Sequence, residues 1–335
     1  GNDSWTISSN RIYQTATRTF TAAGSRYAGI TLNTVTRPGI FTVSNNIIGF
    51  NTATGTGNTI IDGNTAAAGL RNEFRGIDAI SVSAGAVTAT SIQGNIISGI
   101  QQFSRCNSNA VNNASFTGIL IGEVQGKFSV TGNTIGSLNG TSTIVIEQSS
   151  TNTGSSPNIG ICDLSDNSNT ISNNNLGSIT INDAGANDLV GFRGILISAT
   201  PTTQTATVNN NTIGAAAGPI TNNIVGDYAM YPLQVTNTTL LATGNTISNI
   251  NGNSTLANVI ISSGIITTGS TGANLISQNT IHSLTNNSVA ASNSIYAIKT
   301  SFASTANIIE RNNIHSLSIT STNKNCQLVG MLTDA

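Results

Sequence analysis

Few residues in this chain have the types and spacing for chemistry. Its 335 residues include 13 acids, 12 lysines and arginines and 2 histidines. The histidines form the sharpest pair. His282 and His315 each follow the isoleucine of a repeated phrase, in Asn279-Thr280-Ile281-His282 and Asn312-Asn313-Ile314-His315. If those phrases lie on neighbouring strands, the two imidazoles stand about 4.8 Å apart. Two imidazoles can begin a metal site, but such a site takes three or four ligands. The sequence offers no third histidine, so an exposed stacked pair is the plainer reading.

Among the acids, Asp163 and Asp166 come closest to a cluster, in Cys162-Asp163-Leu164-Ser165-Asp166-Asn167. A calcium loop is one reading, but the ligand spacing of a helix-loop-helix calcium site is absent. A turn capped by its own aspartate is the simpler one. The remaining acids do not recur at one place in successive repeats, as paired carboxylates for glycoside cleavage would require. Arg75 and Arg193 both precede a Gly-Ile phrase, with two further copies between them, which puts them about 15 Å apart at three strand spacings. That is too far to act on one group. They read as solvated residues, with a glycan contact as the functional alternative. Thr134, Thr212, Thr246 and Thr280 share a column with Asn175 and Asn313. One interrupted column is poor support for ice binding. The three cysteines, Cys106, Cys162 and Cys326, do not make a disulfide framework. Cys162 reads as a small buried hydrophobe. No nucleophile elbow, phosphate loop or zinc spacing is present. These residues point to no catalytic centre and no cofactor.

What positions these residues is a repeat. The phrase Asn-x-(Ile/Leu) plus a small residue begins at Asn10, Asn46, Asn95, Asn133, Asn174, Asn211, Asn245, Asn279 and Asn312. Several copies extend to Gly-Asn-Thr-Ile, as at Gly132-Asn133-Thr134-Ile135. Successive starts lie 33 to 49 residues apart, the signature of a stacked array. A second phrase, Gly-Ile after an aromatic, precedes most copies: Tyr27-Ala28-Gly29-Ile30, Phe74-Arg75-Gly76-Ile77, Phe116-Thr117-Gly118-Ile119 and Phe192-Arg193-Gly194-Ile195. We align Tyr228-Ala229-Met230 and Tyr296-Ala297-Ile298 as weaker copies. The apolar residues alternate and are largely β-branched, which favours strands over helices.

The pattern predicts an all-β chain: a parallel β-helix of eight to nine coils, with three short strands per coil and a polar return loop. Residues 1–335 then form a single segment. The asparagines would build a hydrogen-bonded column along the axis and also occupy the left-handed corner of each coil. The text opens in mid-coil at Trp5-Thr6-Ile7 and stops on Val329-Gly330-Met331-Leu332, with no readable cap. This leads to the expectation of a longer solenoid, or of end-to-end or lateral protein contacts at the ends.

Composition excludes several classes. A net charge of −1 without a basic stripe gives no electrostatic footprint for nucleic acid. No apolar run reaches the length of a membrane helix.

The coils resemble right-handed parallel β-helix repeats, the fold of pectate lyases and many surface proteins. More narrowly, residues 2–20 (Asn-Asp-Ser-Trp-Thr-Ile-Ser-Ser-Asn-Arg-Ile-Tyr-Gln-Thr-Ala-Thr-Arg-Thr-Phe) together with the Gly-Asn-Thr-Ile coils resemble the giant surface β-helix proteins of Bacteroidetes exported by type IX secretion. The resemblance implies right-handedness and an extracellular, cell-surface, adhesin-like protein. The function expected is a non-catalytic structural or adhesive segment of a secreted surface protein or filament. A carbohydrate-active or glycan-binding β-helix is the alternative, with a glycan or other cell-surface ligand as partner.

Overall fold

In the computed structural model, the residues described are 3–34, 39–63, 70–82, 88–105, 111–122, 126–141, 143–148, 155–183, 189–198, 204–225, 228–254, 260–288, 293–302, 306–321 and 325–334. Cys106, Glu123, Asp188 and Asp227 lie outside them.

The described residues are mostly strand, and the strands form three long parallel sheets. The chain visits the sheets in a fixed order. Asp3–Ser8 enters the first sheet, Arg11–Ile12 and Arg18–Thr19 cross the second, and Ser25–Thr34 enters the third. Gly39–Ser44 then returns to the first sheet, paired in parallel with Asp3–Ser8. Nine strands stack this way in the first sheet and nine in the third. This is the arrangement of a parallel β-helix with roughly triangular circuits.

Register is set by like residues stacking on like. Ile30, Ile77, Ile119, Ile161, Ile195, Leu233, Ile265 and Ile298 form one file in the third sheet. Ile48, Ile97, Ile135, Leu176, Ile213, Ile247 and Ile281 form another in the second. Both files are buried in one continuous core. A slip of one residue would turn every such side chain outward, so burial itself fixes the pairing. Close approach explains the glycine before most of these isoleucines, Ile298 after Ala297 being the exception. A Cβ on Gly118 would stand 2.6 Å from the Gly160 carbonyl oxygen and 2.7 Å from Ile135 Cδ1. The first file also corrects one alignment. Leu233, preceded by Pro232, occupies the isoleucine position in that circuit, and Tyr228-Ala229-Met230 lies three residues too early.

Two further expectations change. The returns read as polar loops carry strands, including Ile100–Ser104 and Ile144–Gln148. Thr246–Ser254 and Thr280–Ser288 run unbroken through both parts of the second sheet. Leu138 lies in a corner before Ile144–Gln148. The period-2 signal was disguised because several inward residues are polar: Gln102, Ser104, Asn222, Asn286 and Ser288 are all buried.

The second change concerns the corners. The left-handed residue is the one just before each column asparagine: Ser9, Asn45, Gly94, Gly132, Asn173, Asn210, Gly244, Gln278 and Arg311, with φ between 54° and 68°. The column asparagine needs ordinary backbone because its side chain must point inward.

Candidate functional site

The asparagine column is built as the spacing predicts. Each member gives its side-chain amide to the Oδ1 of the next, from Asn10 to Asn312, at 2.9–3.0 Å. The backbone N–H of each donates to the same oxygen, as Asn95 does to Asn133 at 3.0 Å. The second amide hydrogen reaches back to a carbonyl of an earlier circuit, as from Asn133 to Ile92 at 2.9 Å. From Asn46 to Asn279 every member is buried. Buried amides are costly unless paired, and here the column satisfies them circuit by circuit.

His282 and His315 stand in register. Their rings stack with centroids 4.8 Å apart and planes 6° from parallel. Each Nδ1 lies 3.0 Å from the hydroxyl of the following serine, Ser283 or Ser316. Nitrogen lone pairs lie in the ring plane, and a metal sits about 2.0–2.1 Å from each nitrogen. Two parallel rings at this separation cannot both aim at one ion as placed. Partial burial and the neighbouring imidazole hold His282 below its usual value. No group of three or more potential ligands forms among the described residues.

Asp163 is buried, and its oxygens are occupied. Oδ1 accepts from the Ser165 backbone N–H at 3.1 Å and hydroxyl at 2.8 Å, and Oδ2 accepts from the Asn169 amide at 2.8 Å. Burial raises its pKa, and those hydrogen bonds oppose the rise. This is a turn stapled by its own aspartate. Asp166 is half-buried three residues on. Cys162 is fully buried, and burial drives its thiol above the usual range, which disfavours the thiolate that reacts or binds metal.

The acids that do come together are Glu73 and Asp78, both on Asn72–Val82 and both buried. Arg26, one circuit earlier, donates from Nε to Glu73 Oε2 at 2.9 Å and from Nη1 to Asp78 Oδ2 at 3.1 Å. Arg75 donates to Glu73 at 3.2 Å, to Thr117 Oγ1 at 2.8 Å and to the Ala114 carbonyl at 2.7 Å. Arg71 lies 3.7 Å from Glu73. The solvated reading of Arg75 is therefore overturned. Ala114, whose carbonyl accepts from Arg75, packs with Leu120, Ile159, Cys162, Leu164 and Leu196 in a second small core. Burial raises the pKa of Asp78 and lowers that of Arg75, with the opposite charges resisting both shifts. The expected three-strand separation of Arg75 and Arg193 holds through Thr117 and Ile159. Arg193 is half-buried beside Tyr231.

One outward-facing rank went unread in the sequence. Phe103, Glu147, Asn182, Asn223, Asn253 and Asn287 occupy successive strands at one position of the second sheet. Asp62 precedes Phe103 in that rank. Beside these first members lies a cavity of about 320 Å³, lined by Thr17, Ile60, Asp62, Gln101 and Phe103. The amides are linked: Asn287 to Asn253 at 3.1 Å, Asn253 to Asn223 at 2.7 Å, Asn223 to Asn182 at 3.0 Å, and Asn182 to Glu147 Oε1 at 3.0 Å. The chain that builds this geometry matches no family model, no curated protein and no solved structure.

Proposed function

We propose that this chain is a non-catalytic structural and adhesive length of a larger secreted surface protein, wound as a right-handed parallel β-helix solenoid. The observation that carries the reading is the asparagine column, unbroken over nine circuits. A rigid rod needs each layer locked to the next, and stacked amides supply that lock at every corner. Nine layers at about 4.8 Å span roughly 40 Å. Handedness, the extracellular setting and the adhesive role rest on the resemblance of the coils to surface β-helix proteins. Strand edges at the first and last described circuits are where a further circuit, from the same polypeptide or a second copy, would pair. Trp5, Ile308, Leu328 and Met331 are more than half exposed there.

The carbohydrate-active alternative wants open carboxylates facing one substrate. Glu73 and Asp78 are the acids most tightly grouped among the described residues, and arginines neutralise them under a covering segment. The outer amide rank favours glycan binding without cleavage. Two measurements test the proposal. A crystal structure of the purified chain should show one continuous parallel coil, and two facing sheets or a closed barrel would overturn the solenoid. Incubation with neutral and uronic-acid polysaccharides should release neither reducing ends nor unsaturated sugar; release of either would overturn the non-catalytic reading.

A further inference from the structure

The outer rank has features that a purely structural ladder does not need. Its direction is set at one end. A carboxylate only accepts, so Glu147 obliges Asn182 to donate, and each later amide follows in turn. An asparagine side chain has two N–H groups and an oxygen with two lone pairs. The ladder uses one N–H of each amide, and one lone pair of Asn182, Asn223 and Asn253. In each of these three circuits the ladder leaves one N–H and one lone pair over on an outward-facing amide. Asn182, Asn223 and Asn253 are half-buried and Asn287 is exposed. Two positions earlier on the same strands, Thr180, Thr221, Asn251 and Thr285 also face outward, which adds a second polar file. The side chains of the first file are already held by their neighbours, so a ligand need not order them.

We infer that this face binds an extended neutral glycan lying along the axis, about one sugar per circuit. The inference deepens the adhesive reading above and rests on it. Hydroxyl groups are the ligand chemistry that donates and accepts at every step, and the rise of about 4.8 Å per circuit is close to the length of one hexose in an extended polymer. At the N-terminal end of the rank, half-buried Phe103 offers a ring to the C–H face of a sugar beside the cavity. Asp62 and Glu147 flank that ring in register, one circuit to either side. The carboxylate of Glu147, whose partner in the ladder is a neutral amide, repels uronates, sulfated polymers and nucleic-acid phosphates, which selects an uncharged polymer. A peptide strand would seek an open sheet edge for its backbone hydrogen bonds, and this face offers side chains only.

The test uses the whole chain in affinity electrophoresis and calorimetry against soluble neutral β-linked hexose polymers, with a uronic-acid polymer as the contrast. Neutral polymers should bind with little dependence on salt, and the uronate should not. Asn223→Leu combined with Asn253→Leu should weaken binding by at least about tenfold, and Phe103→Ala by a similar factor. Thr131→Leu, on the outer face of the first sheet, should leave affinity unchanged. Circular dichroism of each variant confirms that the strands persist. Undiminished affinity in folded Asn223/Asn253 and Phe103 variants overturns the inference, as does equal binding of the uronate. A coiled chain that binds no neutral polymer overturns it too, while leaving the structural proposal standing. A chain whose crystal structure shows no continuous coil overturns the structural proposal first.

Discussion

The Oδ1 atom of Asn174 accepts twice from Asn133, from the backbone N–H at 2.9 Å and from the side-chain amide at 3.0 Å. The same pair of bonds recurs between every two neighbours of the column, so removing one member breaks bonds to both sides. Asn133→Ala should lower stability by about 2–4 kcal/mol, the sum of several net hydrogen bonds and a stranded buried partner. Asn312→Ala, at a partly exposed end of the column, should cost distinctly less. Urea denaturation followed by circular dichroism measures both. Equal losses at the two sites would show that the column adds no stability beyond its local bonds.

The corners separate two glycines that look alike in the sequence. Gly132 has φ +66°, and a Cβ there would meet nothing nearer than 4.0 Å. Asn45, Asn173 and Asn210 hold the equivalent place in other circuits. Gly132→Asn should therefore change stability by less than about 1 kcal/mol, since asparagine tolerates the left-handed region. Gly136, four residues on, has φ +72°, and its Cβ would lie 1.9 Å from the Gly177 carbonyl oxygen. Gly136→Ala meets backbone that cannot yield without opening the layer, and should destabilise by several times as much. Comparable melting temperatures for the two variants would contradict this.

Glu73 is shared by three arginines. Glu73→Gln keeps the shape, removes the charge and leaves three guanidinium groups without the carboxylate they share. Breaking a buried pair in this way should cost roughly 3–5 kcal/mol. Hydrogen exchange across residues 72–79 should accelerate, while the segment around Ile281 remains protected. A uniform acceleration along the chain would mean that the cluster stabilises the whole rod and not its N-terminal circuits.

Partial burial, and then the nearby His315 imidazole, lowers the pKa of His282 from its usual 6.5. The sign follows from linkage. The folded state binds this proton less readily than the unfolded chain does. The contribution is therefore fully present above pH 6.5 and is lost as the pH falls through the lowered value. In an NMR titration, His315→Ala should move the His282 midpoint upward, toward the ordinary value. A midpoint that stays put or falls would show that the stacked partner exerts no such effect.

Much of this was readable from the amino acids, for definite reasons. The Asn-x-Ile phrase announces its column because each circuit needs an amide at one corner and an apolar residue two places later. The buried acid cluster was also within reach. Aligning Gly29-Ile30 with Gly76-Ile77 sets Arg26 opposite Glu73, the pairing that the third sheet makes. Comparing acids only with acids concealed it. The outer rank was hidden by corners of unequal length. Asn182, Asn253 and Asn287 follow their column asparagines by 8 residues (182 − 174, 253 − 245, 287 − 279). Asn223 follows by 12 (223 − 211) and Glu147 by 14 (147 − 133). Corner residues such as 137–141 and 214–219 lie outside the strands, so they shift the count without disturbing the pairing.

The two amide files point opposite ways. At the corner each side chain hands its proton toward the C-terminal circuit, and on the outer face toward the N-terminal one. Aligned amide dipoles add along a stack, as they do along a helix. Where both files run side by side their fields subtract, so lengthening the rod by whole circuits need not accumulate a voltage between its tips.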